Sequence, residues 1–138
     1  MKKAIVYAST TGNTEAMAQA IAKGAQGSGA TVIMKKADEA DAAEVLGADV
    51  IILGSPAMGA EVVEDSMEDF FTSIEGSLAG KKVALFGSYD WGDGQWLRDW
   101  ADRVKNAGGT MVNGEGLMAH LEPDADAVKA CEDLGASA

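Results

Sequence analysis

Four short apolar runs punctuate the chain: Ile5-Val6-Tyr7, Val32-Ile33-Met34, Val50-Ile51-Ile52-Leu53 and Val83-Ala84-Leu85-Phe86. A fifth, Thr110-Met111-Val112, is weaker. Near-continuous runs of this length, mostly rich in β-branched residues, predict strands covered on both faces, as in a parallel sheet. Between them the spacing becomes helical. Met17, Ala20, Ile21 and Gly24 share one face after Asn13, and Met67, Phe70, Phe71, Ile74 and Leu78 give the firmest helical signal. Leu97, Trp100, Ala101 and Val104 give another, and Val128, Cys131 and Gly135 mark the last. Asp41 to Leu46 predicts a short helix. Pro123-Asp124 predicts the start of the final helix, with proline and an acid in its first turn.

Strand and helix alternate five times, with no internal repeat, low-complexity tract or linker. The expectation is an α/β fold: a doubly wound, five-stranded parallel sheet with helices on both faces, residues 1–138 forming one domain. Composition narrows the function. The chain has 138 residues, 47% of them hydrophobic, enough for a core without covalent staples. Cys131 is the single cysteine, which excludes an intrachain disulfide and a multi-cysteine metal site and fits a reducing cytoplasmic setting. Met1-Lys2-Lys3 before Ala4 to Ala8 is too short an apolar run for a signal peptide. No stretch approaches the roughly 20 apolar residues of a membrane span. The net charge of −11 repels phosphate backbones and argues against nucleic acid as a partner. It would attract a partner with a basic patch, or serve only to keep the chain in solution.

The candidate chemistry sits in three loops. Ser9-Thr10-Thr11-Gly12-Asn13-Thr14 joins the first strand to the first helix. Free backbone N–H groups at a helix N-terminus, with hydroxyls and an amide beside them, suit an anion, and Gly12 allows close approach. The same residues would also serve as simple helix caps. No Lys or Arg lies between Lys3 and Lys23, so neutral donors would hold any phosphate. A P-loop and a Gly-x-Gly-x-x-Gly turn are both absent here. Gly54-Ser55-Pro56-Ala57-Met58-Gly59-Ala60-Glu61 follows the third strand. Met58 is either core filler or a wall for a flat ligand. Ser88-Tyr89-Asp90-Trp91-Gly92-Asp93-Gly94-Gln95-Trp96 follows the fourth. Trp91, between small and acidic residues, projects from this loop toward a partner or a ring system. With Met58 it can sandwich the latter.

These three motifs, in this order, resemble the short-chain flavodoxins of anaerobic bacteria. The first matches Ser/Thr-x-Thr-Gly-Asn-Thr, the second Ser-Pro-Ala-Met-Gly-x-Glu, and the third Gly-Ser-Tyr-x-Trp-Gly-x-Gly-x-Trp. The likeness includes the helix from Glu64 to Phe71 and the absence of an insertion in strand five. It implies strand order 2-1-3-4-5, one bound FMN, and low-potential electron transfer between proteins by a monomer. Open α/β sheets bind ligands beyond the strands' carboxyl ends where strand order reverses; flavodoxins are a standing example of that rule, so it adds no independent support. By resemblance, Ser9 to Thr14 would bind phosphate, and Ser55 and Ser88 would lie near ribityl and phosphate. Met58 and Trp91 would cover the two flavin faces, with Ala57, Tyr89, Asp90 and Gly92 beside them. Glu61 would accept from flavin N3–H. The Gly59 peptide would turn over on one-electron reduction so that its carbonyl accepts from N5–H. Asp90 stands where the family usually has glycine, and Ala60 where it often has Asp, Asn or Gly. A positive φ at Ala60 would cost about 1–2 kcal/mol.

From Glu61 to Asp69 there are five acids and no base, which would oppose the second reduction step and, with Asp90 to Asp93, form a docking face for transiently bound, basic redox proteins. Two other functions fit the fold. A quinone or porphyrinogen reductase would need a substrate pocket over the flavin or oligomer-forming insertions, and 138 residues leave little room. A phospho-receiver would need acids at the end of strand one, where Tyr7-Ala8-Ser9-Thr10 has none. His120, the one histidine, receives no role. Cys131 reads as a small buried hydrophobe.

Overall fold

The fold comes from a computed structural model, and the structure describes residues 1–59 and 62–138. The sheet comprises β1 (Lys2–Tyr7), β2 (Thr31–Lys36), β3 (Val50–Gly54), β4 (Lys82–Tyr89), β5 (Thr110–Met111) and β6 (Leu117–His120). The helices are α1 (Asn13–Gly27), α2 (Ala42–Leu46), α3 (Asp65–Glu75), α4 (Gln95–Asn106) and α5 (Ala125–Ser137). Strand order is β2-β1-β3-β4-β5, with β6 also on β4 and every ladder parallel. The doubly wound 2-1-3-4-5 arrangement is therefore as expected.

A period of two is hidden inside the apolar runs. Ala4, Val6, Ile51, Leu53, Val83 and Leu85 face one core, with Phe71 and Trp100 from α3 and α4. Ile5, Tyr7, Val50, Ile52, Ala84 and Phe86 face the other, with Met17, Ile21 and Cys131 from α1 and α5. Helices on both faces make both sets apolar, so the alternation is invisible in the sequence. The second apolar run departs from full burial. At the sheet edge, Val32 and Ile33 are half-buried and Met34 is exposed, and Lys35 and Lys36 guard the end of the strand.

The fifth strand comes in two pieces. β5 ends at Met111, and β6, which the apolar pattern does not reveal, rejoins β4 at Leu117. Asn113 fills the gap with its side chain. Its Oδ1 accepts from the Leu85 N–H at 3.3 Å and its Nδ2 donates to the Leu85 carbonyl at 2.9 Å. One amide thus stands in for the missing strand residue and leaves no buried backbone group of Leu85 unpaired.

Four element boundaries differ from expectation. Leu78 is fully buried but lies beyond α3, which stops at Glu75. β4 runs on through Ser88 to Tyr89, and Trp96 is a buried residue of α4 instead of part of the loop. Asp124 caps α5 from outside, accepting from Ala127 N–H at 2.8 Å, so the acid inside the first turn is Asp126.

α1 and α5 cross with their backbones touching. A Cβ on Gly24 would sit 1.9 Å from the Glu132 carbonyl oxygen, and one on Gly135 would sit 1.9 Å from that of Ile21. Only hydrogen at these two positions allows the approach. Beside them Lys3, 2% exposed, donates from Nζ to the Gly135 carbonyl at 2.7 Å. This places a cation at the negative end of α5, and burial pushes its pKa down. On the other face Arg103 of α4 donates to Glu68 at 2.6 Å and to Glu75 at 3.1 Å, with its guanidinium 4.8 Å from the Phe71 ring centroid. Hydrogen bonding from Arg103 holds the Glu68 carboxyl below the usual carboxylate range.

Candidate functional site

The carboxyl ends of β1, β3 and β4 bring the three loops together. In the first, Gly12 adopts φ +92°, and a Cβ there would meet nothing within 4 Å, so the turn is open above it. Ser9 Oγ accepts from Gly12 N–H at 3.0 Å and from Glu15 N–H at 3.3 Å. The N–H groups of Thr10, Thr11, Asn13 and Thr14 find no acceptor among the described residues. Thr10, Thr11 and Gly12 are exposed, whereas Thr14 is buried, its hydroxyl 2.8 Å from that of Ser88. That contact fastens the start of α1 to the end of β4.

The second loop is pinned from below. Ser55 is fully buried; its hydroxyl donates to the Pro56 carbonyl and accepts from Glu64 N–H, both within 2.9 Å. It lies beneath the loop, and its role there is to close it. Ala57 forms an antiparallel bridge to Val63 and donates its N–H to the Ser88 carbonyl at 2.9 Å. Met58 is half-buried and Gly59 exposed. Ala60, with the cost that a positive φ would carry there, and Glu61, with its implied flavin contact, lie outside the described residues.

In the third loop Asp90 and Gly92 are exposed, as is Trp91, whose ring stacks on no other aromatic among the described residues. Tyr89 packs between Trp96 and His120, with ring centroids at 6.0 and 5.0 Å. The cleft between the loops is lined by Thr10, Thr11 and Asn13 on one side, Pro56 and Ala57 at its floor, and Ser88, Tyr89 and Asp90 opposite. Leu121 completes it. Neither Leu121 nor its neighbour His120 was marked by the sequence; β6 delivers both. Leu121 holds φ +59°, rare for leucine, and donates its N–H to the Tyr89 carbonyl at 2.8 Å.

A larger cavity, about 380 Å³, opens on the far side of the first loop between Tyr7, Glu15, Lys36, Asp38, Glu64 and Ser66. Two of its carboxylates are already committed. Glu15 accepts from the Tyr7 hydroxyl at 3.0 Å, and Glu64 accepts from the N–H groups of Ser66 and Met67 at the start of α3. Burial, then Glu15, pushes the Tyr7 pKa up. Ser9 and Gly12 of the first loop also border this cavity, whereas Thr10, Thr11 and Asn13 line the cleft above β1, β3 and β4.

The flavodoxin family model matches residues 5–135. This chain belongs to the flavodoxin family. It is 47% identical to the flavodoxin of Clostridium beijerinckii over 132 residues, covering 95% of this chain and 94% of that one. It is 43% identical to the flavodoxin of Megasphaera elsdenii over 135 residues, covering 97% and 96%. The solution structure of the two-electron reduced Megasphaera elsdenii flavodoxin superposes with a TM-score of 0.86 over the whole of both chains. Flavodoxins bind FMN and carry electrons through it, and that is the cofactor and the function of this chain. Among the described residues, no helix is long and apolar enough to cross a membrane.

Proposed function

We propose that FMN is held in the cleft between the three loops, and that the chain is a monomeric, single-domain, low-potential cytoplasmic carrier with no substrate turnover of its own. The observation that carries this reading is the cradle of four N–H groups at the start of α1 that find no acceptor among the described residues, open above Gly12. Its donor set fits a phosphate monoester bound by neutral hydrogen bonds and a helix dipole. The N–H groups of Thr10, Thr11, Asn13 and Thr14 and the hydroxyl of Ser9 would bind that phosphate, with Gly12 allowing its close approach. Ser55, Ser88 and the hydroxyl of Thr14 would act one layer deeper, holding the loops in register. Trp91 and Met58 would cover the ring and exclude water, with Ala57, Gly59, Ala60, Glu61, Tyr89, Asp90 and Gly92 around its edge. FMN supplies reversible one-electron chemistry when bound.

The acidic segment after this loop is less uniform than its sequence. Arg103 engages Glu68, and Glu64 caps α3, whereas Asp65 and Asp69 are exposed and have no partner among the described residues. With Asp90 these two are the carboxylates best placed to meet a basic redox protein. The test is direct. Purified protein should be yellow with one FMN per chain, should not oxidise NAD(P)H in steady state, and should pass electrons to a basic acceptor at rates that fall steeply with salt. Steady NAD(P)H turnover would make it an enzyme. Salt-indifferent transfer would leave the acidity as a solubility device.

A further inference from the structure

Residues 90–93 form the wall that carries Trp91, and only two side chains hold their backbone among the described residues. Arg98 donates from Nη1 to the Asp93 carbonyl at 2.9 Å. His120 lies with Nε2 2.8 Å from the Asp90 carbonyl. A carbonyl only accepts, so Nε2 carries a proton, and the contact survives in both the neutral and the cationic ring. The two anchors differ in one respect. A guanidinium is charged at every accessible pH, whereas an imidazole is the side-chain type that changes charge near neutrality.

We propose that His120 is a positioning residue for the Asp90–Trp91 wall, and that its protonation tightens this wall and hence cofactor binding. The proposal rests on the reading that FMN occupies the cleft. A cationic donor makes a stronger hydrogen bond to a carbonyl than a neutral one. Charged and titratable groups face the ring from every element packed against it. Asp90 lies on the wall itself, and Glu122 lies on His120's own segment. Asp124 and Asp126, at the start of α5, share a cavity of about 450 Å³ with the ring. Tyr89 packs on its face. Arg98 is the cation at the start of α4, beyond Met118 and Gly94, and Asp93 holds it at 3.0 Å. A positive ring beside the cleft also attracts a phosphate monoester, so both effects have the same sign. The added affinity belongs to the charged ring, so it is larger at acid than at alkaline pH.

Apoprotein is titrated with FMN by flavin fluorescence at pH 5.5 and pH 8, for the native chain, His120→Gln and Arg98→Gln. Glutamine keeps a donor without the charge, and each ratio to the native chain cancels the protonation of the phosphate itself. The native-to-His120→Gln affinity ratio should grow about fivefold from pH 8 to pH 5.5, the difference between a charged and a neutral hydrogen bond. The native-to-Arg98→Gln ratio should be the same at both. A flat His120→Gln ratio overturns the proposal. The second readout needs no cofactor: in apoprotein, the Trp91 indole NMR signal should follow the His120 titration. An indole signal that does not respond between pH 5.5 and pH 8 also overturns the positioning role of His120. Failure of the native chain to bind FMN at all would instead defeat the assignment of the cleft.

Discussion

The two helical layers solve the same packing problem in opposite ways. On one face α1 and α5 meet through hydrogen atoms at Gly24 and Gly135, so their backbones touch. On the other, α3 and α4 stand apart on Phe70, Phe71, Trp96 and Trp100, with Arg103 across the outside. The first layer has no volume to give, and the second depends on the volume it has. The aromatic layer also lies under the loops that carry Met58 and Trp91, whereas the close-packed layer holds the start of α1 and its N–H cradle.

Opposite volume changes should therefore damage the two layers. The largest effect is expected for Phe71→Ala, which empties a fully buried ring site and removes the surface under Arg103. The loss should be about 3–5 kcal/mol in urea unfolding of the apoprotein. Gly135→Ala makes the reverse change on the other face and should cost about 1–3 kcal/mol, because the obstructing atom is backbone. Its control is Gly27→Ala on α1, where nothing lies within 4 Å of the added carbon and helix propensity predicts a gain of up to about 1 kcal/mol. Equal losses at both glycines would mean that contact is not what distinguishes them.

Smaller effects test the outer clamp and the exposed indole. Glu68→Gln should cost about 1 kcal/mol at neutral pH, a partly exposed pair being worth no more. The native pair's contribution is present above the carboxylate's unfolded pKa and lost as the pH falls through its lowered folded value. Native and variant urea midpoints should therefore converge in acid. Trp91→Ala should leave apoprotein stability within about 0.5 kcal/mol, since the side chain is 57% exposed. It should nevertheless weaken FMN binding about tenfold by fluorescence titration. An unchanged affinity would assign Trp91 to a partner or to solvent.

The central strands were legible because continuous apolar runs have few other uses in a chain this size. The three loops were legible through residue types that only special turns require. What escaped was long-range or local exchange of roles. Leu117 to His120 carries no run of β-branched residues, so β6 and its delivery of Leu121 to the cleft, with His120 against Asp90, went unseen. Trp96 was counted with the loop because glycines and acids extend almost to it, yet it is the second residue of α4. Glu68 looked like one of five unopposed acids, because its cation lies 35 residues away. The substitution of an amide side chain for a strand residue at Asn113 has no sequence signature at all.

The Lys3 contact to Gly135 spans 132 residues, and the adjoining contact of Gly24 in α1 with Glu132 in α5 is also long-range. On a ribosome, the first strand and first helix are therefore made long before anything can cover them. The side of α1 around Ile21 and Gly24 that meets α5 remains uncovered until α5 has been translated. Vectorial synthesis gives this protein no early stopping point, and its nascent chain carries an uncovered apolar face for most of its elongation.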